Sequence, residues 1–126
     1  MRYLVMIHLN EEQLGAMPKE EMDALIAAHL AYDETLQRSG HFVIAQALQN
    51  ADASTIVRVR DGKVATTDGP FIETKEQLSG FYLIDAKDLN DAIQVAGKIP
   101  SAPLGSIEIR PIWDLSQPKG ELPPGA

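Results

Sequence analysis

His29 and Asp33 stand four residues apart. On a helix that spacing sets them one turn apart on a shared face. It is the arrangement of a general base oriented by a carboxylate. The plainer reading is a histidine at the edge of a core, held by a helical carboxylate. A second set of residues is arginine-rich. Arg58 and Arg60 alternate along one apolar segment, and Glu108 and Arg110 alternate along another. Alternation along a strand puts each pair on one face. His8 joins them if the Leu4-Met6-His8 side of the first apolar run faces the same way. Guanidinium groups on strands can hold a carboxylate or phosphate through paired N–H donors. The alternative use is internal ion pairing, with Glu108 partnering an arginine across a dimer.

A third feature is the run Thr67-Asp-Gly-Pro-Phe71. Gly69 permits backbone angles closed to other residues, and Pro70 fixes one. Asp68 can bond the following amides as an Asx turn. The run is a shaped structural loop or, through Asp68 or Thr67, a ligand contact. Its glycine spacing is not that of a phosphate cradle, and no Lys-Ser/Thr pair follows.

Other chemistries find little support. There is no cysteine, which excludes a disulfide framework, a thiolate metal site and a cysteine nucleophile. His8, His29 and His41 lack ligand spacing, and no Glu-x-x-His pair accompanies them, so neither a metal nor another cofactor is expected. No Gly-x-Ser-x-Gly elbow marks a nucleophilic serine.

These residues must be positioned by a chain of 126 residues, the length of one domain. Its 11 Lys and Arg against 18 Asp and Glu give a net charge of −7. That balance lacks the general attraction to nucleic acid or anionic lipid. No apolar stretch approaches the ~20 residues of a membrane span. The apolar run from Tyr3 to Leu9 is short for a signal-peptide core. The expected location is cytoplasmic, with no direct nucleic-acid partner and no membrane.

Tyr3 to Leu9 reads as a first strand, apolar on both faces apart from His8, and Asn10 to Met17 as a polar loop. Pro18, Glu20 and Glu21 suit a helix start. Met22, Leu25, Ile26, His29, Leu30, Asp33 and Leu36 then recur at helical spacing until Gly40. His41 to Leu48 and Ser54 to Arg60 are strands. Asp61-Gly62 is a hairpin turn, so Lys63 to Thr66 pairs back. Gly80 to Asp85 is a further strand. Asp88 caps a second helix with a face of Leu89, Ala92, Ile93 and Ala96, ended by Gly97 and Pro100. Gly105 to Trp113 is the last strand. This order predicts an α+β ferredoxin-like sandwich with an added hairpin. Two helices cover one sheet face, and a second copy of the chain is the simplest cover for the other. The domain is expected over residues 1–114, with 115–126 a flexible tail rich in proline and glycine.

Asp61-Gly-Lys63, Thr67-Asp-Gly-Pro-Phe71 and Glu73-Thr-Lys-Glu76 together resemble the signature of the DGPF (DGPFAETKE-type) proteins of the YCII-related family, with Ile72 in place of alanine. The resemblance runs over roughly residues 1 to 113. It takes in Val57-Arg58, Gly80-Phe81 and Glu108-Ile-Arg-Pro111. It implies a ferredoxin-like fold paired as a dimeric α/β barrel. The resemblance to the wider family implies an enzyme that works through a histidine on the first helix and an aspartate near the end of the second, just before a proline. His29 matches the histidine. The aspartate is absent, because the chain reads Lys98-Ile99-Pro100 there. DGPF domains also resemble modules fused to, or encoded beside, extracytoplasmic-function sigma factors, and that resemblance implies a regulatory link to transcription.

Beside the plain alternative of a purely structural partner protein, two function classes follow. One is a homodimeric module that binds or senses a small anionic ligand through Arg58, Arg110, Glu108, Asp68 and His8. The other is a cofactor-free enzyme of lyase, isomerase or hydrolase type, with His29 as acid/base and Asp33 beside it.

Overall fold

The computed structural model describes residues 1–120. The strands are β1 (Arg2–Leu9), β2 (Phe42–Ala47), β3 (Thr55–Arg60), β4 (Lys63–Asp68), β5 (Gln77–Asp85) and β6 (Gly105–Pro111). The helices are α1 (Glu11–Gly15), α2 (Lys19–Ser39) and α3 (Leu89–Gly97). Short 3₁₀ turns lie at Ala51–Ala53 and Ala102–Leu104. The class is α+β. Four strands form one antiparallel sheet in the order β2-β5-β1-β6, and β3 and β4 form a separate antiparallel pair.

Local chemistry explains most element ends. Pro18 directly precedes α2, and Gly40 ends it at φ 82°, in the left-handed region that favours glycine. The Asp88 carboxylate caps α3 by accepting the Asp91 N–H. Asp61 and Gly62 both take positive φ, as a two-residue hairpin turn requires.

Three expectations need correction. The segment expected as a polar loop from Asn10 to Met17 contains α1, because the Asn10 side chain accepts the Gln13 N–H at 3.0 Å and nucleates a turn. The inward face of α3 is Ala92, Val95 and Ala96, whereas Ile93 is 48% exposed. Arg58 and Arg60 do not share a sheet with Glu108 and Arg110, since among the described residues β3 pairs with β4 alone while β6 is an edge strand of the four-stranded sheet. Smaller shifts accompany these. β5 begins at Gln77, β4 runs to Asp68, and β6 stops at Pro111. Of the expected tail, residues 121–126 lie outside the described residues. Before them the Trp113 indole N–H donates to the Gln117 carbonyl at 2.9 Å.

Tyr3, Val5, Ile7 and Leu9 of β1 point to one side of the sheet, together with Tyr82 and Ile84 of β5. Leu36 of α2 and Ala92, Val95 and Ala96 of α3 close over them as the core. The apolar stripe of α2 is used unevenly. Leu36, near its C-terminus, is buried, while Ile26 and Leu30 are 51% and 61% exposed. The N-terminal half of the helix therefore leaves a gap over the sheet. The opposite side of the sheet carries Leu4, Met6, His8, Phe81 and Leu83, all part-exposed, and Ile44, which is exposed. Among the described residues, no helix is long and apolar enough to cross a membrane.

Candidate functional site

The gap beneath α2 is a cavity of about 450 Å³. Leu25, Ile26 and Leu30 wall it from the helix, and Ile7, Ala45 and Gly80 from the sheet. His29, Asp33, Tyr82 and Ser101 bring its polar groups together. The 3.6-residue period places His29 and Asp33 inward on α2, and the two-residue period of β5 places Tyr82 on the same side as Ile84. Ser101 is only 2% exposed. It follows Pro100 and enters the 3₁₀ turn, where its carbonyl accepts the Leu104 N–H at 2.9 Å.

The four side chains form one hydrogen-bonded chain. The Tyr82 hydroxyl donates to Asp33 Oδ1 at 2.6 Å. Its single proton is committed there, so its oxygen accepts from His29 Nδ1 at 3.2 Å. Nδ1 therefore carries the imidazole proton and Nε2 a bare lone pair. The Ser101 hydroxyl lies 3.0 Å from Nε2 and donates to it. Charges follow the same pattern. Burial pushes the His29 imidazole below its ordinary value of 6.5, and the opposing pull of Asp33 is smaller. Burial, then the hydrogen bond to Asp33, push the Tyr82 phenol up, so it stays protonated. Tyr32 packs edge-on against Tyr82 and donates to the Val95 carbonyl at 2.6 Å, which ties the chain to α3. At neutral pH, His29 Nε2 is a proton acceptor facing a hydroxyl.

Residues 1–116 match the YCII-related domain. The chain belongs to the YCII-related family. An uncharacterised protein of Rhizobium meliloti (strain 1021) is 36% identical over 125 residues, spanning 98% of this chain and 99% of that protein.

In this YCII-related protein, His29 and Asp33 do come together, but through Tyr82 rather than directly. Ser101, directly after Pro100, is the residue of that segment that reaches His29. Neither Tyr82 nor Ser101 stood out in the sequence. A tyrosine at a core-facing position of a strand is one faint signal, because its hydroxyl needs a partner when buried. Ser101 offers none.

The other singled-out residues lie elsewhere. His8 Nε2 is 2.9 Å from Glu108 Oε1, and Arg110 donates to Glu108 Oε2 at 3.1 Å. This group sits on the sheet side away from the helices. The His8 hydrogen bond, then that of Arg110, hold the Glu108 carboxyl below its usual range. Arg58 is exposed on the hairpin opposite Ala65, and Asp68 ends β4 opposite Thr55. No hydrogen bond or ion pair joins either to the Glu108 group among the described residues. Asp68 forms no Asx turn there either. Gly69 is needed for close approach rather than for its backbone angles. A Cβ on it would sit 2.6 Å from Ser54 Cβ, and its N–H donates to the Ser54 carbonyl at 2.7 Å. His41 is structural in placement. It contacts Asp91 Oδ2 at 3.0 Å and Ser39 Oγ at 2.7 Å, linking the end of α2 to the start of α3. Among the described residues, no three His, Asp or Glu side chains are grouped to hold a metal ion.

Proposed function

We propose that this YCII-related protein is a small-molecule binding module whose ligand enters the cavity beneath α2 and meets a proton acceptor, His29. The observation that carries this reading is the cavity of about 450 Å³, with largely apolar walls and a hydrogen-bonded chain of Asp33, Tyr82, His29 and Ser101 among its polar groups. Ligand sites commonly have that form. The ionisable side chains lining the cavity besides His29 and Tyr82 are Glu11 and Asp33, both acidic. An uncharged or cationic ligand with an apolar body suits them better than an anion. An anionic ligand suits Arg110 and His8 on the other sheet face, or Arg58 on the hairpin, whereas Asp68 disfavours one there.

The unprotonated Nε2, which accepts the Ser101 hydroxyl, favours a second reading, a cofactor-free enzyme that uses His29 as base. Both readings fit a homodimer of ferredoxin-like units, closed into a barrel through the part-exposed face of Leu4, Met6, Phe81 and Leu83. Such an interface buries on the order of 2,000 Å².

A thermal-shift screen with neutral, cationic and anionic compounds tests the module. A ligand of the native state raises the melting temperature. Neutral or cationic hits that are lost in Ala45→Met, which fills the cavity from β2, support the reading. Hits confined to anions and indifferent to Ala45→Met overturn it.

A further inference from the structure

We propose that Ser101 is a nucleophile and that the cavity is an acyl-transfer site for uncharged esters or thioesters with a short apolar acyl group. The proposal rests on the cavity being a ligand site. Its own support is the order of groups around the imidazole. Ser101 Oγ lies at Nε2, 3.0 Å away, and the far nitrogen is held through Tyr82 by Asp33, at 3.2 Å and 2.6 Å. A hydroxyl, a base and an orienting carboxylate are recognised by geometry and role rather than by sequence position. The interposed tyrosine keeps those roles. Its oxygen still accepts the Nδ1 proton, and the Asp33 charge beyond it favours the imidazolium that forms when Nε2 takes a proton.

The serine itself supplies a second observation. Among the described residues, the other serine hydroxyls that form hydrogen bonds do so locally. Ser39 donates to the Leu36 carbonyl at 3.1 Å, and Ser79 to the Gln77 carbonyl at 3.1 Å. Ser101 instead spends its hydroxyl on a histidine 72 residues away. It is 2% exposed and lines the cavity, so the cavity is its route to any reactant. The walls suit an apolar acyl chain, and Glu11 and Asp33 disfavour an anionic substrate.

In the reaction, Ser101 Oγ bonds to the carbonyl carbon as its proton passes to His29 Nε2. The bond from that carbon to the alcohol or thiol then breaks, and the leaving group takes the proton from Nε2. Water adds to the acyl-serine, passing its proton through Nε2 to Ser101 Oγ as the carboxylic acid departs. The net change is ester plus water giving acid plus alcohol. Tyr82 and Asp33 are positioning residues.

The test exposes the full-length protein to an uncharged alkyl fluorophosphonate and locates the adduct by peptide mass spectrometry. One phosphonyl group per chain on Ser101, with fluoride released, is the expected result. Labelling should vanish in Ser101→Ala and slow by on the order of 10⁴-fold in His29→Gln. Binding of the neutral fluorophore N-phenyl-1-naphthylamine, displaced by Ala45→Met, is measured in parallel. Fluorophore bound but Ser101 unlabelled overturns the nucleophile and leaves the binding module standing. Labelling of Ser101 that is equally fast in His29→Gln also overturns the proposal, because the hydroxyl is then not activated by the imidazole. No fluorophore binding and no label overturns both. Should Ser101→Ala fail to fold, the site of the adduct in the parent and its rate in His29→Gln still decide.

Discussion

Asp33 determines where the protons lie around His29. Its carboxylate accepts a hydrogen bond from the Tyr82 hydroxyl at 2.6 Å, which leaves the phenol oxygen to accept from Nδ1 and leaves Nε2 unprotonated to accept from Ser101. Nitrogen-15 NMR of the imidazole at pH 7 should therefore show the Nδ1–H tautomer. Its titration midpoint should fall below 6.5, because burial outweighs Asp33. An Nε2–H ring or a midpoint above 6.5 contradicts the assignment. The same shift has a consequence for stability. The unfolded chain protonates His29 first as pH falls, so this contribution is complete above about 6.5 and is lost as pH drops through the folded-state value. Melting temperature should thus decline on acidification through that window, and His29→Gln should flatten the decline. Asp91 adds a later acid loss. The Lys87 N–H, then the His41 hydrogen bond, hold its carboxyl below 3.8, so its share is present above that pH and is lost as pH falls through the folded-state value. Tyr82→Phe removes the hydroxyl that joins Asp33 to His29, and leaves both groups short of a partner. A loss of about 1–3 kcal/mol in urea denaturation is expected. A neutral outcome would mean that water replaces the phenol without cost.

Among the elements, the pairing of β1 with β6 sets the floor under the core. Gly105 opens β6 opposite Leu9, and a Cβ there would collide with the His8 carbonyl oxygen. Backbone oxygen cannot swing aside as a side chain can. Gly105→Ala should cost about 1–3 kcal/mol or more. Comparison of urea midpoints with the parent measures it, and an unchanged midpoint would show that β6 can start later without penalty. The uneven burial of α2 is the element-scale reason that a cavity exists. Leu36 anchors the helix to the core at one end, while Met22, Leu25 and Ile26 border open space at the other.

For the molecule as a whole, the sheet has two unlike sides. The helix side is covered by α2 and α3, with the cavity beneath the N-terminal half of α2. The other side carries Leu4, Met6, Phe81 and Leu83 around the His8–Glu108–Arg110 group. If two copies pair there, Met6→Glu places a carboxylate beside Glu108, its partner in the β1–β6 register, and beside its counterparts in the second copy. Sedimentation should then show a dimer for the parent at micromolar concentration and a monomer for Met6→Glu. A parent that is already monomeric would remove the barrel.

What the sequence determined by itself was local. Helix caps at Gly40 and Asp88, the Asp61-Gly62 turn, the six strands and the shared face of His29 and Asp33 all follow from backbone sterics and short-range periodicity, which act within a few residues. The α1 turn escaped because Asn10 capping competes with an otherwise polar, loop-like composition. Only the tertiary structure decided that Arg58 leaves the main sheet, since nothing in an alternating strand says which neighbour it pairs with. Tertiary packing alone also supplied Tyr82 and Ser101, which lie 53 and 72 residues from His29. Hydrogen bonds over such separations depend on how whole elements stack, and stacking is set by the summed burial of the core rather than by any pattern near the residues themselves.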